Sequence, residues 1–394
     1  MKKILLFLVM PAVLMLGSCK KTDDNSAIQE DQAFVRTTIG DVIPGQYIVR
    51  LKEGATDIRA AKLSYSDSRV KMVEEMKKIL SVSEISVREP LYVYTASIEG
   101  FTLKLSDSEA ELLTRNEAVA SVSQDRVITL AKPAPKPAPE TPQQIPWGIT
   151  RVGGATKSQG KVAWIIDTGI DLDHPDLIVG AGATFVPRTS SADDDNGHGT
   201  HCAGIIAAVD NSIGVVGVAA GATVIPIKVL DKRGSGTISG VIAGVDYVAD
   251  HGSEGDAVNM SLGGGISTDL DKAVTAMGGK GLLVALAAGN ESDDANNHSP
   301  ARVEADNIWT VSAFDSKDVF AYFSNYGNPP IDFSAPGVSI YSTYKGGQYA
   351  TMSGTSMAAP HMCGVLLVTG GNPKDDGTVT GDPDGEPDLI VYNQ

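Results

Sequence analysis

The hydrophobic positions in the second half of the chain fall into short apolar runs separated by helical spacings. Four continuous apolar runs have the length of strands that are buried on both faces, namely residues 161–166, 224–229, 257–260 and 282–288. Between them, residues 238–248 and 270–277 place apolar side chains at helical spacing. Strands that alternate with helices predict an α/β fold with a doubly wound, mostly parallel sheet. We therefore expect functional side chains at the carboxyl ends of strands.

Residues 44–130 have a different pattern, which predicts a small α+β domain. Apolar residues alternate with others at residues 47–51 and 101–105, as expected of half-buried strands. The other predicted elements are a helix at residues 71–80, a strand at 91–95, a helix opened by a capping box of Ser106 and Glu109, and a strand at 119–130. The order strand, helix, strand, strand, helix, strand is that of a ferredoxin-like domain.

The N-terminus has the pattern of an export signal. Two lysines precede an apolar run that is too short to span a bilayer, so residues 1–18 are predicted to be a signal peptide. The sequence Leu-Gly-Ser-Cys at its end resembles a bacterial lipoprotein processing box, in which Cys19 becomes the lipidated first residue. Ordinary secretory cleavage is the alternative. Polar residues 19–43 then predict a flexible tether. We expect an exported protein that is lipid-anchored to a bacterial membrane or otherwise secreted.

A proline-rich segment separates the two predicted domains. Residues 131–146 contain six prolines, which predicts an extended linker. The second domain then occupies residues 147–394 and ends in a tail rich in glycine and aspartate.

Composition narrows the function classes. The net charge of −16 argues against a nucleic-acid partner, because phosphate backbones are bound by basic surfaces. Three cysteines exclude a disulfide scaffold and leave at most one internal bridge.

Four polar residues are predicted to meet at one edge of the parallel sheet. They are Asp167 and Asn290, which follow strands, His198, which opens a run of small residues, and Ser356, which begins a helix. Taken singly, each has an ordinary explanation, such as a turn residue or an N-cap. Together they supply what a serine nucleophile needs, which is a base, a carboxylate that orients the base, and an amide donor.

These motifs resemble those of subtilisin-like serine proteases, and most closely those of the proteinase K branch. The order Asp, His, Ser along the chain agrees, and the resemblance extends to residues 259–264, 324–327 and 335–337. Residues 44–130 resemble the inhibitory propeptide of the same family, especially at residues 43–49. The resemblance implies a serine endopeptidase made as a self-inhibited zymogen, with proteins or peptides as substrates and its own propeptide as an intramolecular inhibitor.

The resemblance also implies roles for individual residues. The catalytic residues are Asp167, which orients the base, His198, the general base, Ser356, the nucleophile, and Asn290, which forms an oxyanion hole with the Ser356 amide. His201 is structural. The substrate-binding edges are Ser261, Leu262, Gly263 and Gly264 on one side and Gly234, Ser235 and Gly236 on the other. Residues 285–289 and 262–264 line the pocket for the side chain before the cut, and their lack of charge predicts a preference for apolar or aromatic residues.

The metal and cysteine signals leave alternatives open. Asp332 matches the aspartate that binds calcium in proteinase K, although the neighbouring loop is two residues longer here. The acidic runs at residues 171–176, 193–195 and 375–388 are either solvated loops or calcium sites. No cofactor is expected for catalysis itself. Cys202 and Cys363 are either buried free thiols or a bridge.

Two other interpretations fit parts of the sequence. A catalytically silent binding protein with the same fold is expected to lack one of the four polar residues, and all four are present. A dinucleotide-binding enzyme needs a Gly-rich turn after the first strand, which Asp167-Thr168-Gly169 is not.

Self-cleavage is predicted shortly after residue 130. A proline directly after the cut lacks the backbone hydrogen and has a fixed φ, so the bond before Pro133 is a poor site. The bonds Leu130–Ala131 and Ala131–Lys132 remain. A cut beyond the prolines, near Gln144, is the alternative.

Overall fold

The computed structural model describes residues 40–130, 137–138 and 141–394. The predicted signal peptide, Cys19 and most of the predicted tether lie outside the described residues, and so does Ala131. Within the described ranges, no helix has the length and apolar character needed to cross a membrane.

The N-terminal domain has the predicted order of elements. They are β1 (Val42–Leu51), α1 (Tyr65–Val82), β2 (Tyr92–Tyr94), β3 (Gly100–Lys104), α2 (Asp107–Thr114) and β4 (Val119–Thr129). The four strands form an antiparallel sheet in the order β2, β3, β1, β4, which confirms the ferredoxin-like arrangement. The predicted capping box opens α2, with Ser106 and Glu109 each accepting a hydrogen bond from the other's backbone. Met72, Met76 and Phe101 are fully buried in the core of this domain.

The second domain alternates strands and helices. Its helices are α3 (Trp147–Arg151), α4 (His198–Ala207), α5 (Ile238–His251), α6 (Thr268–Gly278) and α7 (Thr355–Thr369), with a 3₁₀ turn at Ala295–Asn297. Its first strands are β5 (Val162–Asp167), β6 (Ile178–Val179), β7 (Ala183–Thr184), β8 (Thr223–Lys228), β9 (Ser235–Thr237), β10 (Ala257–Met260), β11 (Gly264–Gly265) and β12 (Leu283–Ala287). The remaining strands are β13 (His298–Ser299), β14 (Ile308–Phe314), β15 (Ile331–Pro336), β16 (Ile340–Tyr344), β17 (Gln348–Met352), β18 (Lys374–Thr378) and β19 (Leu389–Tyr392).

A ten-stranded sheet organises this domain. Its path is β18, β19, β15, β14, β12, β10, β5, β8, β6, with β7 also paired to β8. The pairs are parallel except β18 with β19. Alternate residues of β5 enter two separate cores, Ala163 and Ile165 with α4 and α7, and Trp164 and Ile166 with α5 and α6. Helices therefore cover both faces, which confirms the doubly wound fold.

The tail rich in glycine and aspartate contributes two strands to this sheet. β19 lies parallel to β15, and its apolar residues Ile390 and Val391 are fully buried. Asn393 donates from its backbone N to Val152 O at 2.9 Å and from Nδ2 to Gly154 O at 2.8 Å. The segment after β19 is therefore hydrogen-bonded to the beginning of the second domain.

The two domains share a strand edge. β9 continues the sheet of the N-terminal domain by pairing antiparallel with β4, so that Val127 faces Thr237 and Thr129 faces Ser235. Leu130 N then donates to Gly234 O at 2.8 Å. The last described residues of the N-terminal domain thus lie as an added strand on the second domain.

The described residues of the proline-rich segment are bound to the second domain. Ala138 exchanges two backbone hydrogen bonds with Tyr349, at 2.8 and 3.0 Å. Gln144 N donates to Gly214 O at 2.8 Å, and Gly214 N donates to Thr141 O at 2.7 Å. This part of the predicted linker therefore packs with the domain that follows it.

Candidate active site

Asp167 and His198 are in direct contact at the carboxyl end of the parallel sheet. Asp167 is the fully buried last residue of β5, and His198 is the first residue of α4. His198 Nδ1 lies 2.8 Å from Oδ1 and 2.9 Å from Oδ2 of Asp167. Gly199 permits this approach, because a Cβ there would lie 2.1 Å from Gly169 O. With the Nδ1 hydrogen directed at the carboxylate, Nε2 keeps its lone pair.

A second carboxylate supports this pair. Asp194 is buried and accepts hydrogen bonds from Thr200 N, Thr200 Oγ1 and Thr168 Oγ1 at 3.0, 2.6 and 2.9 Å. Thr168 N in turn donates to Asp167 Oδ1 at 2.6 Å. Burial raises the pKa of Asp194, and the surrounding donors oppose that rise. Within the acidic run at residues 193–195, Asp194 is therefore an internal acceptor and not part of a solvated loop.

Ser356 lies in the first turn of α7, as predicted. This helix follows Gly354, whose φ of +154° suits only glycine. Ser356 Oγ donates to Ser261 O at 3.2 Å, so within the described chain the hydroxyl is hydrogen-bonded to the Ser261 carbonyl and not to His198. Cys202 connects the two helices, since its Sγ donates to Ser356 O at 3.4 Å and lies 4.0 Å from His198 Nδ1.

Asn290 is held in a fixed orientation three residues beyond the end of β12. Its Oδ1 accepts hydrogen bonds from Thr355 N at 2.8 Å and from Thr355 Oγ1 at 3.2 Å. Thr355 Oγ1 also accepts from Gly289 N at 3.1 Å. Because Oδ1 is engaged, the Nδ2 donor is the end left for a ligand. Sequence reasoning missed Thr355, although it directly precedes Ser356.

A pocket lies beside Ser356 and Asn290. It is lined by the predicted residues Leu262, Gly263, Ala287, Ala288 and Gly289, together with Thr129, Leu130, Glu291, His298, Ala301 and Thr355. The expectation of an uncharged lining is wrong, because Glu291 and His298, which lie outside residues 262–264 and 285–289, also line the pocket. Glu291 Oε2 accepts from Asn325 Nδ2 at 2.9 Å and lies 3.9 Å from His298 Nδ1. The Glu291 charge is therefore partly satisfied within the wall.

The two predicted substrate edges differ in what they bind. Gly234, Ser235 and Gly236 receive β4 and Leu130, as described above. Of residues 261–264, only Gly264 takes part in strand pairing within the described chain, and its partner is Ser299 of β13. The pairing of a peptide with this second edge stays a prediction.

The remaining predicted residues lie apart from this cluster or beneath it. His201 is fully buried, its Nε2 faces Ile340 O and Ala350 O, and burial lowers its pKa to about 3, so it is neutral. Asp332 is exposed on β15, and its Oδ2 accepts from Thr310 N at 2.8 Å.

Asp332 is the predicted calcium ligand, and Cys202 and Cys363 are the two cysteines of the catalytic domain. Among the described residues, Asp332 joins no group of three potential metal ligands. Calcium binding at Asp332 stays a prediction. Cys202 and Cys363 are buried free thiols, which decides against a bridge.

A buried carboxylate–imidazole pair, a serine at a helix start and a fixed amide donor define the site of a serine-type hydrolase. Residues 158–378 match the subtilase family, and residues 46–131 match the peptidase inhibitor I9 family. The chain belongs to the subtilase family and is a serine-type endopeptidase with an inhibitor domain before its catalytic domain.

Individual relatives agree with this assignment. The chain is 35% identical to a subtilisin-like serine protease of Sarocladium strictum, over 82% of this chain and 85% of the relative. It is 36% identical to an extracellular serine proteinase of a Thermus species, over 90% and 87%. The crystal structure of a cold-adapted subtilisin-like serine proteinase superposes with a TM-score of 0.57 at 36% identity, covering 63% of this chain and 98% of that one.

Proposed function

We propose that the protein is an exported zymogen that cleaves peptide bonds through Asp167, His198 and Ser356. The observation that carries this proposal is the buried contact of His198 Nδ1 with both Asp167 oxygens, at 2.8 and 2.9 Å. This contact leaves His198 Nε2 as a proton acceptor for the Ser356 hydroxyl. In the described state the hydroxyl donates to Ser261 O, and a rotation about the Cα–Cβ bond of Ser356 would redirect it to the imidazole.

Two hydrogen-bond donors are proposed to stabilise the negative charge that develops on the substrate oxygen during the reaction. The amide Nδ2 of Asn290 and the backbone N–H of Ser356, in the first turn of α7, would stabilise the oxyanion. His198 then returns its proton to the leaving amine, and water repeats the sequence on the acyl-enzyme. The alanine and glycine lining of the pocket favours apolar side chains before the cut, with Glu291 at its wall.

The N-terminal domain is proposed to act as the inhibitor of this site. β4 and Leu130 occupy the strand edge at residues 234–237 beside the pocket, so a substrate cannot pair there. Two buried carboxylates form hydrogen bonds between the N-terminal domain and the catalytic domain. Asp125 accepts from Ser239 N at 3.0 Å, and Asp269 accepts from Arg50 Nε at 2.8 Å.

Self-cleavage is expected at Leu130–Ala131 or Ala131–Lys132. Leu130 lies at the pocket that holds Ser356, whereas Ala138 and residues 141–144 are bonded to the catalytic domain and would stay with it. The test is N-terminal sequencing of the matured protein, combined with an assay of casein hydrolysis. A start at Ala131 or Lys132 with hydrolysis agrees with the proposal, and a start at Ile145 or later contradicts this cut.

Activity is expected to rise with pH through the titration of His198. Burial lowers the pKa of His198, but Asp167 and Cys202 together raise it more, so the net pKa lies well above the ordinary imidazole value. The base must be neutral to accept a proton, so activity is lost as the pH falls below this pKa. The measurement is kcat/KM of the mature enzyme on an uncharged peptide. A midpoint below about pH 6.5 would contradict the expectation.

Cys202 is expected to make the enzyme sensitive to mercurials. Mercury bound to its Sγ, 4.0 Å from His198 Nδ1, would displace the imidazole and slow turnover. Cys202→Ala should keep activity and lose the sensitivity, whereas Cys363→Ala, the matched control, should keep both. Equal sensitivity of the Cys202→Ala variant and the parent would refute this explanation.

The protein is also proposed to be exported and to bind calcium as a structural ion. The name of the Thermus relative includes the word extracellular, which supports export. Lipidation of Cys19 would then hold the enzyme at a bacterial membrane, and mass spectrometry of the purified N-terminus would detect the lipid. Calcium at Asp332 is proposed as a structural ion only, because Asp332 lies on β15 and outside the cluster of Asp167, His198 and Ser356.

A further inference from the structure

A cavity of about 480 Å³ lies beside the strand edge that receives β4. Its walls are residues 185–189 and 231–237 of the catalytic domain, and the N-terminal domain contributes Tyr92 and Val127. Val127 pairs with Thr237 across the edge. A substrate that replaces β4 would therefore present the side chain at the Val127 place to this cavity.

The cavity carries five charged side chains, and four of them lie in residues 185–189 and 231–237. The lining charges are Arg188, Lys232 and Arg233 against Asp195 and Asp231. Asp231 is engaged by Arg233, with Nη2 at 3.0 Å from Oδ2, and also accepts from Ser235 N at 3.0 Å. Asp195 is engaged by the buried Lys228, whose Nζ lies 2.6 Å from Oδ1. Both carboxylates are therefore neutralised by neighbours.

Arg188 and Lys232 are left as uncompensated cations. Both are exposed, and in the described part of the chain neither makes an ion pair. The backbone of Lys232 is fixed by Asn196 Nδ2, which donates to its carbonyl at 3.1 Å. Arg188 has a φ of +65°, a left-handed conformation that is uncommon outside glycine. These two cations give this part of the substrate edge a local positive charge, in a chain whose net charge is −16.

We infer that these two cations form a subsite for an acidic side chain at the substrate position that corresponds to Val127. This subsite deepens the proposed function, because it operates only on a peptide bound as an added strand. The attraction acts between exposed groups, so it is modest and screened by salt. It selects among substrates more than it strengthens binding overall.

The test uses peptides with the sequence of residues 124–134 in which Val127 is replaced by Glu, Gln or Lys. We expect kcat/KM of the mature enzyme to fall in that order, with the Glu peptide about tenfold better than the Lys peptide at low salt. At about 0.5 M NaCl the ratio should approach one. The double variant Arg188→Gln/Lys232→Gln should lose the order. The double variant Lys157→Gln/Lys317→Gln, which removes two exposed cations elsewhere, should keep it.

Equal rates for the Glu and Lys peptides at low salt would overturn the subsite, and so would an unchanged order in the Arg188→Gln/Lys232→Gln variant. The unsubstituted peptide separates this result from the proposed function, since its cleavage depends on catalysis and not on the two cations. Fluorescence anisotropy of the same peptides on mature enzyme inactivated at its serine gives the order of affinities without turnover. The same order of Glu, Gln and Lys is expected there.

Discussion

Replacing Ser356 by alanine is expected to leave a full-length precursor and to lower turnover by about six orders of magnitude. The magnitude is the one known for subtilisin, a relative in the same family, in which the triad acts as a unit. The same hydroxyl is proposed to cut substrates and to release the N-terminal domain, whose Leu130 already lies at the pocket beside Ser356. Mass spectrometry of the purified variant measures the first effect and peptide hydrolysis the second.

Ser316→Ala is the matched control, because Ser316 lies in an exposed loop outside the site. This variant should mature and hydrolyse peptides like the parent. Normal processing of the Ser356→Ala variant would show that another protease performs the maturation. Retained hydrolysis by that variant would refute Ser356 as the nucleophile.

Replacing Asp246 by alanine is expected to weaken the binding of the N-terminal domain to the catalytic domain by about thirtyfold or more. Asp246 is a fully buried residue of α5, and its Oδ1 accepts from the backbone N of Thr95, Ala96 and Ser97 at 3.0, 2.8 and 2.8 Å and from Ser97 Oγ at 2.9 Å. Removing the carboxylate leaves these donors buried and unpaired, which costs about 2–5 kcal/mol when one partner of a buried charged contact is truncated.

The measurement is the rate at which activity appears when the cleaved complex is diluted. The Asp246→Ala complex should release active enzyme faster and at higher protein concentration than the parent. Asp250→Ala is the control on the same helix, because Asp250 is exposed and its ion-pair partner is His251. The freed mature enzymes should have equal activity. An unchanged rate of release in the Asp246→Ala complex would show that Asp246 does not hold the inhibitor domain.

The sequence was sufficient for the fold where local patterns and tertiary structure agree. The run at residues 257–260 is β10 without any shift of its ends, since all four residues, including Asn259, are buried. The capping box of Ser106 and Glu109 formed because its contacts are local. Asp167 and His198 could be placed at one edge because parallel strands end together.

The features that sequence reasoning missed depend on contacts between distant segments. Glu291 was overlooked as part of the pocket because its place there depends on how the loop after Asn290 turns back, where Asn325 binds it. Asp194 resembled any acid in a polar loop, and its buried hydrogen bonds to Thr168 and Thr200 appear only in three dimensions. The strand β19 was not expected, because one apolar run after many aspartates gives little periodicity to detect.

The edge at residues 234–237 constrains the evolution of this protein. The same backbone edge and the same pocket receive β4 in the precursor and, as proposed, the substrate in the mature enzyme. A substitution there that alters which peptides are preferred will also alter how firmly β4 is held. Inhibition by the N-terminal domain and substrate specificity therefore evolve together. When substitutions at this edge change the preferred substrates, residues 127–130 must change as well if β4 is to keep its affinity.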